Sequence, residues 1–148
     1  MAGLFANAQT AEIASGTSKK TLVQLIAAAN HRVLVHEISI SFDGTSNVAQ
    51  PVLVEIARQS TAGTMSALTP AKVDLDSGET LQTTATHTAS AEPTETDVLR
   101  AENVHPQTGY TWVASYGRPI IVNGGDRLGV AVTAAETVNA VVCVGFEE

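Results

Sequence analysis

The sequence predicts an all-β domain of about eight antiparallel strands, arranged as a sandwich or a barrel. Three observations support this prediction. Apolar residues alternate with a period of two from about residue 21 onwards, turns containing Gly, Pro or Asn recur at short spacing, and no segment shows a strong helical period. The 148 residues, of which 44% are hydrophobic and 4% aromatic, suffice for one domain with a core of Val, Ile, Leu and Ala.

The first half of the chain contains the predicted strands up to residue 88. Residues 21–28 form the first strand, although their apolar spacing fits a helical face almost as well. The second strand, residues 32–42, ends at a turn at Asp43-Gly44, and its inward face is expected to carry Leu34, His36, Ile38, Ile40 and Phe42. Pro51 begins the third strand, where a missing backbone donor is tolerated. Shorter strands follow at 71–75 and 81–88.

The second half of the chain begins with an irregular segment. Residues 89–107 are rich in Ser, Thr, Glu and Pro, so they are expected to form a long loop with a role in function or assembly. Strands are predicted after this loop at 110–116, 119–122, 128–133 and 138–146. The sequence Asn123-Gly124-Gly125-Asp126 predicts a hairpin turn, because Asn and Gly accept the positive φ that such turns require.

Two segments are candidates for contacts with other subunits. Residues 1–18 are small and polar, and we expect them to form an N-terminal arm that is ordered only against a neighbour, while residues 19–148 form a single domain. The loop at 89–107 is acidic, through Glu92, Glu95, Asp97 and Glu102. Such a loop is either solvated or an edge that pairs with Lys or Arg of a neighbouring subunit.

Charge and motif content argue against several classes of function. The net charge is −7 and the eight Lys and Arg residues are scattered, whereas binding to nucleic acid through phosphates needs them clustered. The longest apolar run is too short to span a bilayer, and the first residues lack the pattern of a secretory signal. The sequence has no phosphate-binding loop, dinucleotide fingerprint or nucleophile elbow, and no cofactor is expected.

Three further candidates for a chemical site are weak. His31 and His36 fall on opposite faces of a strand and cannot present their rings to one metal ion. The acidic turn from Asp74 to Glu79 has a faint likeness to a calcium loop but lacks further ligands at the required spacing. Cys143, the only cysteine, lies in an apolar run and is expected to be a buried small hydrophobe.

Three stretches of the chain resemble the small jelly-roll proteins encoded among the structural genes of tailed bacteriophages, which include capsid decoration (cement) proteins. The first comprises HRVLVHEISISFDGT at residues 31–45 and AQPVLVEI at 49–56, and the second is TPAKVD at 69–74. The third comprises GYTW at 109–112, GRPIIVNGGDRLG at 117–129 and VGFEE at 144–148. These stretches carry no catalytic fingerprint, so the resemblance concerns architecture more than activity.

The resemblance implies an eight-stranded antiparallel jelly-roll β-sandwich with a non-enzymatic structural role in the virion. Proteins of this class commonly form trimers on the capsid surface, where they bind the major capsid protein. This protein would accordingly be made in the host cytoplasm and incorporated into the virion. The contacts are expected in the N-terminal arm and the acidic loop, at Leu4, Phe5, Glu92, Glu95, Asp97, Arg100 and Glu102.

Two alternatives remain open from the sequence. A receptor- or glycan-binding domain of a fibre or spike could use Trp112, with Tyr110 and Tyr116, as a platform that stacks on sugar rings; we favour a core role for these rings. A cupin-like metalloenzyme would need a His-x-His pair with further ligands, which His36 followed by Glu37 does not provide.

Overall fold

A computed structural model describes residues 3–43 and 50–148 and confirms the all-β antiparallel sandwich. The predicted turn residue Gly44 lies outside the described residues. Thirteen strands are described, forming one sheet of seven and one of six. They are β1 (Phe5–Gln9), β2 (Ile13–Ala14), β3 (Lys20–Ile26), β4 (Val33–Asp43), β5 (Val52–Gln59), β6 (Thr64–Leu68), β7 (Ala71–Lys72), β8 (Thr84–Ala91), β9 (Glu95–Val104), β10 (Tyr110–Val113), β11 (Ile120–Val122), β12 (Arg127–Thr133) and β13 (Asn139–Glu147).

Eight of the strands have the topology of a jelly roll. One sheet contains the order β10-β4-β13-β1 and the other the order β3-β12-β5-β9. The antiparallel pairs are nested, because the first of the eight strands pairs with the last (β1 with β13), the second with the seventh (β3 with β12), the third with the sixth (β4 with β10) and the fourth with the fifth (β5 with β9). This pattern is a long hairpin rolled into two sheets. The other five strands extend the sheets.

The prediction of an N-terminal arm that orders only against a neighbour is wrong. Residues 5–9 form β1, which lies between β13 and β7 in the seven-stranded sheet. Ala6 and Ala8 are buried in the sandwich, and Leu4 is 5% exposed. The small residues of this segment allow close packing between the sheets rather than marking a detached arm.

The core lies between the two sheets and consists mostly of branched aliphatic side chains. Alternate residues of β13 point inward, so Ala140, Val142, Val144 and Phe146 are buried while their neighbours face outward. Phe146, at 1% exposure, is the largest fully buried side chain. The period-two pattern of the sequence therefore places the core as predicted along this strand.

The predicted inward face of the strand at 32–42 is correct at only three of its five positions. Val33 and Val35 are buried before His36, and Ile38 and Ile40 are buried after it, with Phe42 packed against the core. A register shift in the pairing of β4 with β13, between Gly145 and Phe146, accounts for the change of face. The irregularity turns Leu34 and His36 away from the core.

The segment at 89–107, predicted to be a long loop, instead contains the end of β8 and the whole of β9. β9 pairs with β5 on one side and is the last strand of its sheet among the described residues. Residues 96–101 of β9 are exposed on both faces. Because an edge strand of this kind buries little on either face, its sequence lacks the alternation that reveals other strands.

The turn at Asn123–Asp126 exists, but it does not close a hairpin. It joins β11, which pairs with β4 in one sheet, to β12, which lies in the other sheet. Gly125 has a φ of 84°, and a Cβ on Gly124 would lie 2.4 Å from the carbonyl oxygen of Ala29. The two glycines thus allow the chain to pass from one sheet to the other through a tight turn.

One residue of β8 has a strained backbone. Thr88 has a φ of 56°, which is costly for a β-branched side chain. We expect Thr88→Gly to raise the free energy of unfolding by about 1 kcal/mol, measured by urea denaturation, because glycine adopts this conformation freely. Thr88→Val is the control: it keeps the strain but removes the hydroxyl that lies 2.9 Å from Nδ1 of His87. Equal stabilities of the two variants would contradict this account.

Candidate interaction surface

The two contact residues predicted in the N-terminal segment have opposite environments. Leu4 is buried; its backbone N donates to the carbonyl oxygen of Glu148 at 3.0 Å, and its carbonyl oxygen accepts from the backbone N of Glu148 at 2.9 Å. Phe5 is 42% exposed, and its ring centroid lies 6.1 Å from that of His36. Of the two, only Phe5 presents a large apolar surface to solvent in the isolated chain.

Two of the predicted acidic contact residues are used within the chain. The Glu92 carboxylate accepts hydrogen bonds from the backbone N of Thr21 at 2.9 Å and from its hydroxyl at 2.6 Å. Glu95 forms a 2.7 Å ion pair with Lys19, which also contacts Glu55 at 2.8 Å. These bonds fasten the β8–β9 connection to the start of β3.

Lys19 therefore lies between two carboxylates. Partial burial lowers the pKa of Lys19, but the hydrogen bonds to Glu55 and Glu95 and their negative charges raise it, so the pKa lies above its usual value. The ammonium group of Lys19 is therefore charged at neutral pH. Glu92 and Glu95 thus have a structural role that the sequence pattern did not indicate.

The remaining three predicted contact residues lie on β9, two of them on its exposed part. Asp97 is opposite Arg58 of β5, and Arg100 and Glu102 form a 3.1 Å ion pair with each other. Nε of Arg100 also donates a 2.6 Å hydrogen bond to the hydroxyl of Tyr110 on β10. The structure therefore brings Asp97, Arg100 and Glu102 together along one strand and separates them from Leu4 and Phe5.

β9 and the facing edge of the other sheet form a continuous side of the sandwich. β10 and β11 pair with successive parts of β4, and residues 114–119 connect them. The hydrogen bond between Arg100 and Tyr110 joins β9 to β10, and Nη1 of Arg58 donates to the carbonyl oxygen of Ile121 at 2.9 Å. We call β9, β10, β11 and residues 114–119 the β9–β11 side.

The β9–β11 side carries most of the large apolar side chains that are exposed in the described part of the chain. Among the described residues, eight large apolar side chains are at least 39% exposed, and five of them lie here. Tyr116 is fully exposed, and the other four are Val98, Leu99, Val113 and Ile121. Exposed apolar side chains grouped on one side of a domain are typical of a surface that is covered by a partner.

The aromatic residues predicted on one strand are divided between β10 and the loop that follows it. β10 ends at Val113, so Tyr116 lies in the following loop and not on the strand. Tyr110 and Trp112 are partly buried and pack against the core. The interpretation of these two rings as core residues is confirmed. Tyr116 was expected on the same face of the strand, but it lies apart from these two rings and is fully exposed.

The other chemical candidates occupy structural positions. Nζ of Lys72 donates hydrogen bonds to the carbonyl oxygens of Ser77 at 2.9 Å and Glu79 at 3.0 Å, so a cationic side chain already binds the acidic turn. Cys143 is half-buried on the outer face of β13 rather than in the core, as the alternation of this strand requires. Its burial, and the nearby charge of Glu37, raise the pKa of its thiol.

Nothing in the described ranges, residues 3–43 and 50–148, forms a group of three or more His, Cys, Asp or Glu side chains suited to a metal ion. The same residues contain no helix long and apolar enough to cross a membrane. Comparisons of the chain with protein-family models, curated proteins and solved structures gave no match. The geometry of the surface is therefore the main guide to function.

Proposed function

We propose that this protein is a non-enzymatic virion component, a capsid decoration protein that self-associates and bridges neighbouring subunits of the major capsid protein. The observation that carries the proposal is the β9–β11 side, where a fully exposed Tyr116 lies among other exposed apolar residues. The three stretches that resemble phage jelly-roll proteins supply the particular setting, the surface of a phage capsid.

The physical basis of the proposal is the burial of these side chains on assembly. Val98, Leu99 and Tyr116 contribute little to the core of the isolated chain, but each removes apolar surface from water when a partner covers it. A rigid sandwich that contacts several capsid subunits at once adds many modest contacts, and their joint effect exceeds that of any single contact. Stabilisation of a shell needs no catalytic group.

The test compares phage particles assembled with and without this chain. We expect the purified protein to co-sediment with particles that lack it and to raise their melting temperature by several degrees, because a ligand that binds only the assembled shell stabilises it. Calorimetry of the particles measures the shift. Failure of the protein to co-sediment would overturn the proposal, as would specific binding to a glycan array without binding to particles.

A matched pair of variants links the effect to the proposed surface. Tyr116→Glu places a charge on the β9–β11 side, whereas Thr64→Glu places the same charge on β6, at the opposite edge of the six-stranded sheet. Both positions are exposed, so both variants are expected to fold. We expect Tyr116→Glu to reduce the increase in particle melting temperature and Thr64→Glu to leave it unchanged.

A further inference from the structure

We propose that two copies of this chain associate head to tail, with the β9–β11 side of one copy bound to the β7 side of the next. The β7 side comprises Phe5, β7 and residues 73–79. This inference rests on the proposed self-association and identifies the two surfaces that perform it. The two sides differ in shape and in charge, and they lie at opposite edges of the seven-stranded sheet.

The β7 side contains the other exposed apolar residues and a depression. Phe5, Val73 and Leu75 are 42%, 63% and 83% exposed, and together with the five residues of the β9–β11 side they make up the eight noted above. A cavity of about 280 Å³ opens beside them, lined in part by Leu4, Phe5, Val73, Asp74 and Glu79. Its lining combines apolar residues with two carboxylates.

The β9–β11 side presents a complementary projection. Tyr116 is the most exposed large side chain described, and it lies in the loop between β10 and β11. A tyrosine ring is apolar over its body and polar at its hydroxyl, so it suits a depression that is lined by both apolar and acidic residues. The proposed contact seats Tyr116 of one copy in the depression of a second copy.

The charges near the two sides favour the same pairing. Arg58, Arg100 and Arg118 lie on or beside the β9–β11 side, and each is at least partly exposed. The segment at 73–79 carries Asp74, Asp76 and Glu79, and Lys72 directs its ammonium group at backbone carbonyls within that segment. Arginine is well suited to bind carboxylates at an interface.

Acidic residues on the β9–β11 side balance its positive charge. Glu95, Asp97 and Glu102 lie on β9 and equal the three arginines in number, and Glu95 and Glu102 are paired with Lys19 and Arg100. In a chain of net charge −7, this side is therefore close to neutral. Electrostatic repulsion between two copies is smallest when the β9–β11 side of one copy faces the acidic segment at 73–79 of the other.

The positions of the two sides determine the type of assembly. β10 and β7 are the two edge strands of one sheet, so a contact between them joins unlike surfaces. In a row of associated copies, the first and the last copy each keep one unbound side. Such a heterologous contact repeats from copy to copy; it forms a ring if the rotation between copies closes and an open filament if it does not. A trimer, as expected from the resemblance, is one such closed ring.

The test uses two variants that each block one side, Tyr116→Glu and Val73→Glu, with Thr64→Glu as the control. Light scattering coupled to size exclusion measures the mass of each protein alone and of the mixture. We expect each blocked variant alone to lose association by at least about tenfold in affinity, because each loses a central apolar contact. Thr64→Glu should associate like the unmodified chain.

The mixture gives the decisive result. A head-to-tail contact predicts that Tyr116→Glu and Val73→Glu together form a 1:1 dimer and nothing larger, since each supplies the side that the other lacks. Association of either variant alone at the unmodified level would overturn the proposal, and so would a mixture that stays monomeric. Tyr116→Ser, which adds no charge, provides a second variant if Tyr116→Glu fails to fold.

Failure of this contact can be distinguished from failure of the proposed function. If the unmodified chain co-sediments with particles but the mixed variants do not form a dimer, the capsid role stands and the head-to-tail contact is wrong. If the mixture forms the dimer but the unmodified chain does not bind particles, the contact stands and the capsid role is wrong.

Discussion

A chain that lacks residues 3–15 is expected not to fold. These residues include β1 and β2, and their removal exposes the full edge of β13 and the core beneath it. The loss of Leu4 and Ile13 from the core alone costs about 3–6 kcal/mol, comparable to the whole stability of many domains. Circular dichroism and urea denaturation should show an unfolded chain without a cooperative transition.

A synthetic peptide of residues 3–15 provides the control for this deletion. Added to the shortened chain, it should restore the cooperative transition, because the backbone groups of β13 are free to pair with an added strand. The hydrogen bonds to side chains of the peptide would form again as well. The backbone N of Val142 donates to Oγ1 of Thr10 at 3.0 Å, and the backbone N of Val138 donates to Oγ of Ser15 at 3.1 Å. A shortened chain with an unchanged denaturation midpoint would show that this segment is indeed a dispensable arm.

The variant Phe146→Ala is expected to lose about 3–5 kcal/mol of stability, because it leaves a cavity between the sheets. Phe146 is 1% exposed and is the largest fully buried side chain. Phe5→Ala is the matched control, since it makes the same chemical change at a side chain that is 42% exposed, and it should cost much less. Guanidinium denaturation measures both, and equal losses would mean that Phe146 does not anchor the core.

The strands that bury one face were predictable from the sequence. β13 alternates between buried and outward positions, and it lies where the pattern placed it. β3 was ambiguous between strand and helix because its residues are buried on both faces, and a fully buried strand has no alternation. The sandwich as a whole follows from such strands and the turns between them.

The strands at the edges were not predictable in the same way. β9 is exposed on both faces, and β6 (Thr64–Leu68), which was not predicted, is mostly exposed at the other edge of the same sheet. Edge strands depend on backbone pairing with a neighbour, and that pairing leaves little trace in composition. For the same reason Glu95, Asp97 and Glu102 were assigned to a loop although they lie on β9, whereas Glu92 does lie in the connection between β8 and β9.

The candidate interaction surface could be predicted only in part. Asp97, Arg100 and Glu102 were found because charges stand out in the sequence, whereas Tyr116 was assigned to the core face of a strand. Its exposure depends on where β10 ends, at Val113, and strand ends are set by tertiary pairing. The depression beside Val73 has no sequence signal, since it forms from residues distant in the chain, such as Leu4 and Glu79.

The nested pairing of the strands also determines when the fold can form. β1 is among the first strands made on the ribosome, yet its main partner, β13, is made after every other described strand. The seven-stranded sheet cannot close before β13 has emerged, and contacts between residues so far apart in sequence make folding slow. Until then, β1 exposes unpaired backbone. The surfaces proposed for assembly thus become available only after β13 has joined the sheet.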